Sequence, residues 1–337
     1  MVRATQSEIE AAVEALRAGE LVAFPTETVY GLGANAQNPA ALRKVFAAKG
    51  RPAHHPLIVH LDSARYLHRW TQKLSPEAEK LAARFWPGPL TLVLPKAPHV
   101  LDAVTGGQDT VAIRVPSHPM AQQLLTAFGG GIAAPSANRY GHLSPTRAEH
   151  VRDELGDAVR IVLDGGECQV GVESTIVSCT DGSVRLLRPG AVTLSQLRSA
   201  VGNVQIGADA TAPRVPGSTQ SHYAPTTPVE LVPGDGLEVF AGSLNDQGER
   251  VAVLAMRLPL KTLPLVTWIN AGRKPQTYAH DLYANLRTLD KAGCARILVQ
   301  EVPGDERWDA VRDRLQKAAA RNVTDDAMQA TSSGVLP

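Results

Sequence analysis

The sequence predicts two mixed α/β domains, and three observations carry that expectation. Short apolar runs alternate with amphipathic stretches from the first residues onward. A proline-rich stretch interrupts the alternation beyond residue 206. The chain has 337 residues, too many for one core when a domain takes roughly 100 to 200.

In order along the chain, Ser7 with Glu10 reads as a capping box, after which Ile9, Val13 and Leu16 recur on one helical face up to Gly19. Leu21 to Phe24 is a strand stopped by Pro25, Pro39 to Lys49 a helix opened by Asn38, and Leu57 to Leu61 a buried strand. Further strands are expected at 90–94, 111–115, 131–134, 159–163, 172–178 and 184–187. Helices are expected near 76–84, 119–127, 146–154 and 193–200. Together they give a first domain over residues 1–206. Residues 207–228, with four prolines from Pro213 to Pro228 and no aliphatic run, form a linker. A smaller α/β domain over 229–337 follows, with strands at 229–232, 251–255 and 296–299. Its helices are marked by Leu282, Leu286 and Leu289 and by Trp308, Val311 and Leu315, and a polar tail begins after about Asp325.

Composition removes several classes of function. Thirty-four basic and thirty-three acidic side chains leave a net charge of +1, so no global field draws the chain to DNA or an anionic membrane. The longest apolar run, Val251 to Met256, is far below the roughly 20 residues of a membrane span, and four acids in the first twenty residues argue against a leader. Cys168, Cys179 and Cys294 lie far apart without a C-x-x-C pair, which fits a reducing cytoplasm and no cysteine metal site. Gly-Lys occurs nowhere, which excludes a P-loop, and neither a G-x-S-x-G elbow nor an H-E-x-x-H pair is present. Gly31 to Ala36 matches a relaxed dinucleotide pattern but stands six residues from the strand that should feed it, and reads as a chance match.

Four polar segments beside apolar runs remain. Pro25 to Gly31 sets hydroxyls and Glu27 directly after a strand, either as a capped turn or as a ligand loop. Lys49-Gly50-Arg51-Pro52 ends a helix, where the helix dipole alone favours cations. His60 lies in or beside a buried strand, more often the place of a satisfied core residue than of a catalytic one. Arg114 interrupts the strand Thr110 to Val115, and a buried guanidinium must face an anionic ligand or an internal acid, Glu27 or Glu173. Ala133 to Asn138, followed by Ser144-Pro145-Thr146, offers small residues and hydroxyls suited to phosphate, near a helix N-terminus.

These segments, with Trp86-Pro87-Gly88-Pro89-Leu90-Thr91, Gly171 to Thr175 and Arg188-Pro189-Gly190, closely resemble the YrdC-like threonylcarbamoyl-AMP synthase family. His222-Tyr223-Ala224-Pro225 resembles its two-domain subgroup, and the resemblance covers the entire chain. It implies a twisted α/β sheet domain with a large concave cavity and a smaller, Rossmann-like C-terminal domain. The implied enzyme is a nucleotidyltransferase joining L-threonine, bicarbonate and ATP, with Mg2+, into threonylcarbamoyl-AMP and pyrophosphate. The product would pass to the machinery that forms t6A on tRNA. By the same resemblance Thr28, His60, Arg114, the backbone at Ala134 and Ser174 hold threonine. Arg51, His55, Thr110, Ser136, Ser144, Arg188 and Tyr223 hold ATP, with Lys49 close to the phosphates, and Lys49 and Arg51 are the catalytic cations. No dedicated protein metal site is implied. Many relatives carry Asn where His55 stands, and a histidine contact there would vary between about pH 6 and 8. Two other readings are an RNA-binding protein of the same fold, weakened by the +1 charge and 4% aromatic content, and carbamoyl transfer as in hydrogenase maturation, which needs C-x-x-C pairs.

Overall fold

The computed structural model describes residues 5–207, 212–217 and 222–332, the side chains of 321–332 excepted. Residues 208–211 and 218–221 of the expected linker therefore lie outside the described residues. The chain forms two compact units, Met1–Tyr140 with Ser144–Ser218 and Gly141–Leu143 with Thr219–Pro337. The second unit thus includes three residues from the middle of the first stretch, which no boundary drawn along the sequence anticipates.

In the first unit, β1 (Val22–Phe24), β2 (Gly31–Asn35), β3 (Ile58–His60), β4 (Leu90–Pro95), β5 (Thr110–Arg114), β6 (Ile132–Ala133), β7 (Ile161–Val162), β8 (Thr175–Ser178), β9 (Arg185–Arg188) and β10 (Gln205–Ile206) build one mixed sheet. Its order is β10-β9-β8-β4-β5-β3-β6-β2-β1-β7. The middle of that order sets the site. β3 and β5 run parallel with His60 opposite Arg114, β4 runs antiparallel to β5 with Thr91 opposite Arg114, and β8 pairs with β4 starting at Thr175.

Side chains alternate across a strand, so this register sorts them onto two faces. Val59, Leu90, Leu92, Leu94, Val111, Ile113 and Val177 join a core with α3 (Pro76–Phe85) and α7 (Leu194–Val201). Ile58, Val93, Ala112 and Ile176 point the other way, where no helix covers them and Val215 of the linker does. His60, Thr91 and Arg114 share that second face by the same period of two. Apolar burial drives the first face, at about 1.5 to 3 kcal/mol per large side chain; on the second, polar groups are gathered around β3, β4 and β5, while Phe24 and Ile132 pack against helices Gln6–Arg17 and Pro119–Phe128.

One local reading is corrected, and one strand is added. The capping box that opens the helix Gln6–Arg17 is Thr5 with Glu8, not Ser7 with Glu10, since the same S/T-x-x-E spacing occurs two residues earlier and leaves Ile9, Val13 and Leu16 on the buried face. Gly31 to Asn35 is a strand. β2 pairs with β1 and β6, and a Cβ at Gly33 would stand 2.8 Å from both Ile132 and Phe24, so the glycine serves close strand packing.

The second unit holds a four-stranded, all-parallel sheet of β11 (Val229–Val232), β12 (Val251–Ala255), β13 (Val266–Asn270) and β14 (Arg296–Gln300), in the order β11-β14-β12-β13. Helices α8 (Leu237–Asp246), α9 (Pro275–Asp290) and α10 (Asp309–Ser332) accompany it. As far as Ser332 the expected polar tail after Asp325 is the last part of α10, residues 333–337 lying outside the described residues, while β13 and α8 are additions to the sequence reading. No described helix is long and apolar enough to cross a membrane.

Candidate functional site

The loop Pro25–Tyr30 turns the chain from β1 into β2 and buries Thr26, Glu27 and Thr28. Thr26 Oγ1 donates to Val29 O at 2.6 Å and lies 2.8 Å from Thr28 Oγ1. With the Thr26 proton committed to Val29, the Thr28 hydroxyl donates within that pair. Thr28 Oγ1 in turn accepts from Arg114 Nη1 at 2.8 Å, and Arg114 Nε donates to Gly88 O at 3.3 Å.

The second guanidinium nitrogen, Nη2, stands 2.7 Å from Glu27 Oε1, both side chains being almost wholly buried. The two are charge-paired but not aligned as a hydrogen bond, whereas Glu27 Oε2 accepts from Ser117 N at 3.0 Å. Of the two acids weighed from sequence, Glu27 is therefore the partner of Arg114. Glu173 instead accepts from the Ser144 hydroxyl at 2.5 Å.

His60 is fixed by its Nδ1 donating to Ile58 O at 3.2 Å and by an edge contact with Phe24. Burial, then the Arg114 charge, pushes its pKa down to about 3, so the ring is neutral at pH 7. Its folded pKa lies below the ordinary 6.5, so the stability this neutral ring confers is present above pH 6.5 and is lost as pH falls toward 3. His60→Gln is expected to remove that part of the acid sensitivity, up to a few kcal/mol at about 1.4 kcal/mol per pKa unit. Urea midpoints at pH 4 and pH 7 measure it; an unchanged difference between the two would refute the assignment.

Ser174 follows directly on the sheet at the entry to β8. Its hydroxyl lies 2.7 Å from Thr91 Oγ1, and Arg188 Nη2 donates to its Oγ at 3.1 Å and its carbonyl at 2.9 Å. Arg188 Nη1 donates to Pro216 O at 2.9 Å, while Gln108 holds Arg214 through that residue's N–H and carbonyl at 2.7 and 3.1 Å. Linker residues 214–216 thus lie along the uncovered face. The Ala134 N–H goes to Ile58 O, so what Ala134 can offer a ligand is its carbonyl.

The cationic side is built from the end of α2 (Pro39–Lys49). Lys49, buried, donates through Nζ to Ser136 O at 2.6 Å and to Asn138 O, pinning the loop 135–138. Burial and then the Arg51 charge lower its proton affinity well below that of an ordinary lysine. Arg51 donates to Pro56 O at 3.1 Å and sits 5.8 Å over the Tyr140 ring. The His55 ring stands edge-on to Tyr140, and burial followed by the charges of Arg51, His54 and Arg214 brings its pKa down to about 4. His55 therefore stays neutral from pH 6 to 8, which corrects the expected variation in that range. Thr110 and Ser136 are both half-buried.

Tyr223 belongs to the second unit. It is the one described non-glycine residue with a positive φ, 60°, and its buried ring meets His222, Tyr283 and Arg314. Groups passed over as individual ligands from sequence are Thr26, Thr91, Glu173 and Gln108. A polar Thr91 inside the apolar run Leu90 to Leu94 was the one available signal.

Two family models match the chain: one described as "Telomere recombination" over residues 14–190, the other as "Threonylcarbamoyl-AMP synthase, C-terminal domain" over 192–320. The chain is 39% identical to the threonylcarbamoyl-AMP synthase of Pyrococcus abyssi over 95% of its length and 96% of the relative's. It is 41% identical to that of Bacillus subtilis over 94% of each. The crystal structure of P. abyssi Sua5 complexed with L-threonine superposes with a TM-score of 0.87 at 39% identity, covering 94% of this chain and 96% of that one. Matched in both units, and so similar to relatives over nearly their whole length, the chain belongs to the Sua5–YciO–YrdC family, in its two-domain threonylcarbamoyl-AMP synthase branch.

Proposed function

We infer that the protein is a threonylcarbamoyl-AMP synthase, a nucleotidyltransferase acting on L-threonine, bicarbonate and ATP. The observation that carries this reading is the polar cluster Thr28–Arg114–His60–Ser174, buried beside the sheet face opposite α3 and α7, in a chain 39% identical to a relative solved with L-threonine. In the division of labour proposed, residues 1–206 are catalytic, 207–228 form a lid and 229–337 a second domain. A cytoplasmic site of action is supported by three unpaired cysteines.

The chemistry assigns work to each group. Threonine's amine takes up bicarbonate, losing water, and becomes a carbamate; a carbamate oxygen attacks the α-phosphorus and pyrophosphate leaves. Arg114 takes the amino-acid carboxylate, and Ser174 and the Ala134 carbonyl orient the rest. His60, being neutral, adds no charge near the amine. Arg51, Thr110, Ser136, Ser144 and Arg188 hold ATP beside His55. Lys49 and Arg51 meet the phosphates, whose negative charge offsets the mutual repulsion of these two cations. Nothing in this set has an evident proton-transfer duty, so rate comes from positioning two anions against each other. Ser144 and Glu173 are hard oxygen donors of the kind Mg2+ takes, and would hold the ion that accompanies ATP. When bound, that ion supplies charge neutralisation along the phosphates. The adenylate is a mixed anhydride, so transfer to a t6A-forming partner must outrun hydrolysis.

The lid reading is supported by linker residues 214–216, held by Gln108 and Arg188, and Tyr223 is its proposed nucleotide contact. ATP with threonine is expected to slow proteolysis between Pro213 and Pro225 several-fold, and Tyr223→Phe to weaken ATP binding with little change in melting temperature. Equal nicking with and without ligands, together with unchanged ATP affinity in the variant, would make the segment a tether only.

A further inference from the structure

Among the described residues, four large apolar side chains stand mostly in solvent, and three of them gather in one place. Val239 (75% exposed), Leu260 (86%) and Leu258 (69%) stand on or beside a groove of about 910 Å3 in the second unit. The groove runs between α8 and the loop 257–263, and Ala241, Val266 and Trp268 line it. It also adjoins β13, the outermost strand of its sheet, whose five residues Val-Thr-Trp-Ile-Asn carry no charge, proline or bulge of the kind that usually protects an edge.

The loop does not fall into the groove because it is braced outward. Arg257 Nη2 pairs with Glu238 Oε2 at 2.9 Å, the Arg257 carbonyl accepts from Trp268 Nε1 at 2.8 Å, and the Leu260 N–H donates to Glu238 Oε1. Leu258 and Leu260 are therefore presented as knobs beside an apolar hollow. Leaving such side chains in water forgoes most of the burial energy of each, which a structure tolerates where another surface covers them.

We propose that this patch joins two copies of the chain about a two-fold axis, the Leu258–Leu260 knob of each entering the groove of the other. A knob and a matching hollow on one patch is what an isologous contact requires, since each copy must present both. The charges agree. Asp235 and Asp246 stand at the two ends of α8 and Lys261 on the loop, so the groove carries both signs and suits a copy of itself better than a uniformly acidic or basic partner. The inference does not depend on the reaction assigned to the first unit.

Sedimentation velocity on the full chain, from about 1 to about 100 µM, tests it. The expected result is a reversible species of twice the 35.8 kDa chain mass. Leu260→Glu removes the knob. Gly242→Phe fills the hollow from α8, where a Cβ added at Gly242 meets nothing within 4 Å. Each is expected to raise the dimer dissociation constant by about 100-fold or more, with a melting temperature within a few degrees of the parent, because both positions face solvent. A monomer throughout the concentration range overturns the proposal, as do folded variants that dimerise as tightly as the parent.

Discussion

Valine offered in place of threonine, with ATP and bicarbonate present, is expected to lower the rate of pyrophosphate release by about 10^4-fold, whereas serine should lose only about 10- to 200-fold. The asymmetry is expected from Thr28, which the family resemblance assigns to threonine. Its proton is committed to Thr26 and one lone pair to Arg114, so what it can give a substrate is a single acceptor site. A threonine hydroxyl satisfies that acceptor; valine leaves it buried and unpaired, and the cost of an unmade buried hydrogen bond exceeds that of a missing methyl. Withholding bicarbonate should stop release altogether, since without the carbamate there is no nucleophile for the α-phosphorus. A coupled pyrophosphate assay with each amino acid measures both effects. Valine turned over as fast as threonine, or release unaffected by removing bicarbonate, would defeat the assignment.

The second large effect is expected at the pair Glu27–Arg114. Glu27→Ala leaves a guanidinium buried without its counter-charge and should destabilise the first unit by about 3 to 5 kcal/mol. Pairing Glu27→Gln with Arg114→Met removes both charges and should recover most of that loss, while threonine binding disappears because no cation is left for the carboxylate. Arg114→Lys separates the roles further. It keeps a charge opposite Glu27, so stability falls little, but it loses the fork that reaches Thr28 and Gly88, so the threonine KM rises at least about tenfold. Chemical denaturation followed beside threonine titration distinguishes these outcomes. A stable Glu27→Ala variant with unaltered threonine affinity would show the pair to be idle.

Legibility in the sequence followed the physics of each element. Leu90 to Leu94, broken only at Thr91, and Val251 to Ala255 were readable because a strand buried on both faces is a nearly continuous apolar run. β2 was not, since glycine has little strand preference and the demand for Gly33 comes from Ile132, nearly a hundred residues away. α8 was hidden by Gly242 and Ser243 in its middle, and β13 by half-exposed residues following Pro264. In the site, Arg114 announced itself as a charge inside an apolar strand, and its acid was narrowed to two. The hold of Lys49 on the carbonyls of Ser136 and Asn138 left no trace, because any residue supplies a carbonyl. The packing of Tyr223 against Tyr283 and Arg314 joins positions that no local pattern connects.

The three residues Gly141–Leu143 give the protein a clock. They are held by Ala224, whose N–H donates to Gly141 O at 2.9 Å, and by Arg287, whose Nη2 donates to Leu143 O at 2.6 Å across 144 residues of sequence. At about 5 to 20 residues per second, a ribosome makes the first of these groups on the order of ten seconds before the last. Until both groups have been made, Gly141 to Leu143 lack the partners that hold them in the second unit. A nascent chain whose first sheet is already complete therefore still waits for the residues that pin these three, and gains them only when most of the polypeptide exists.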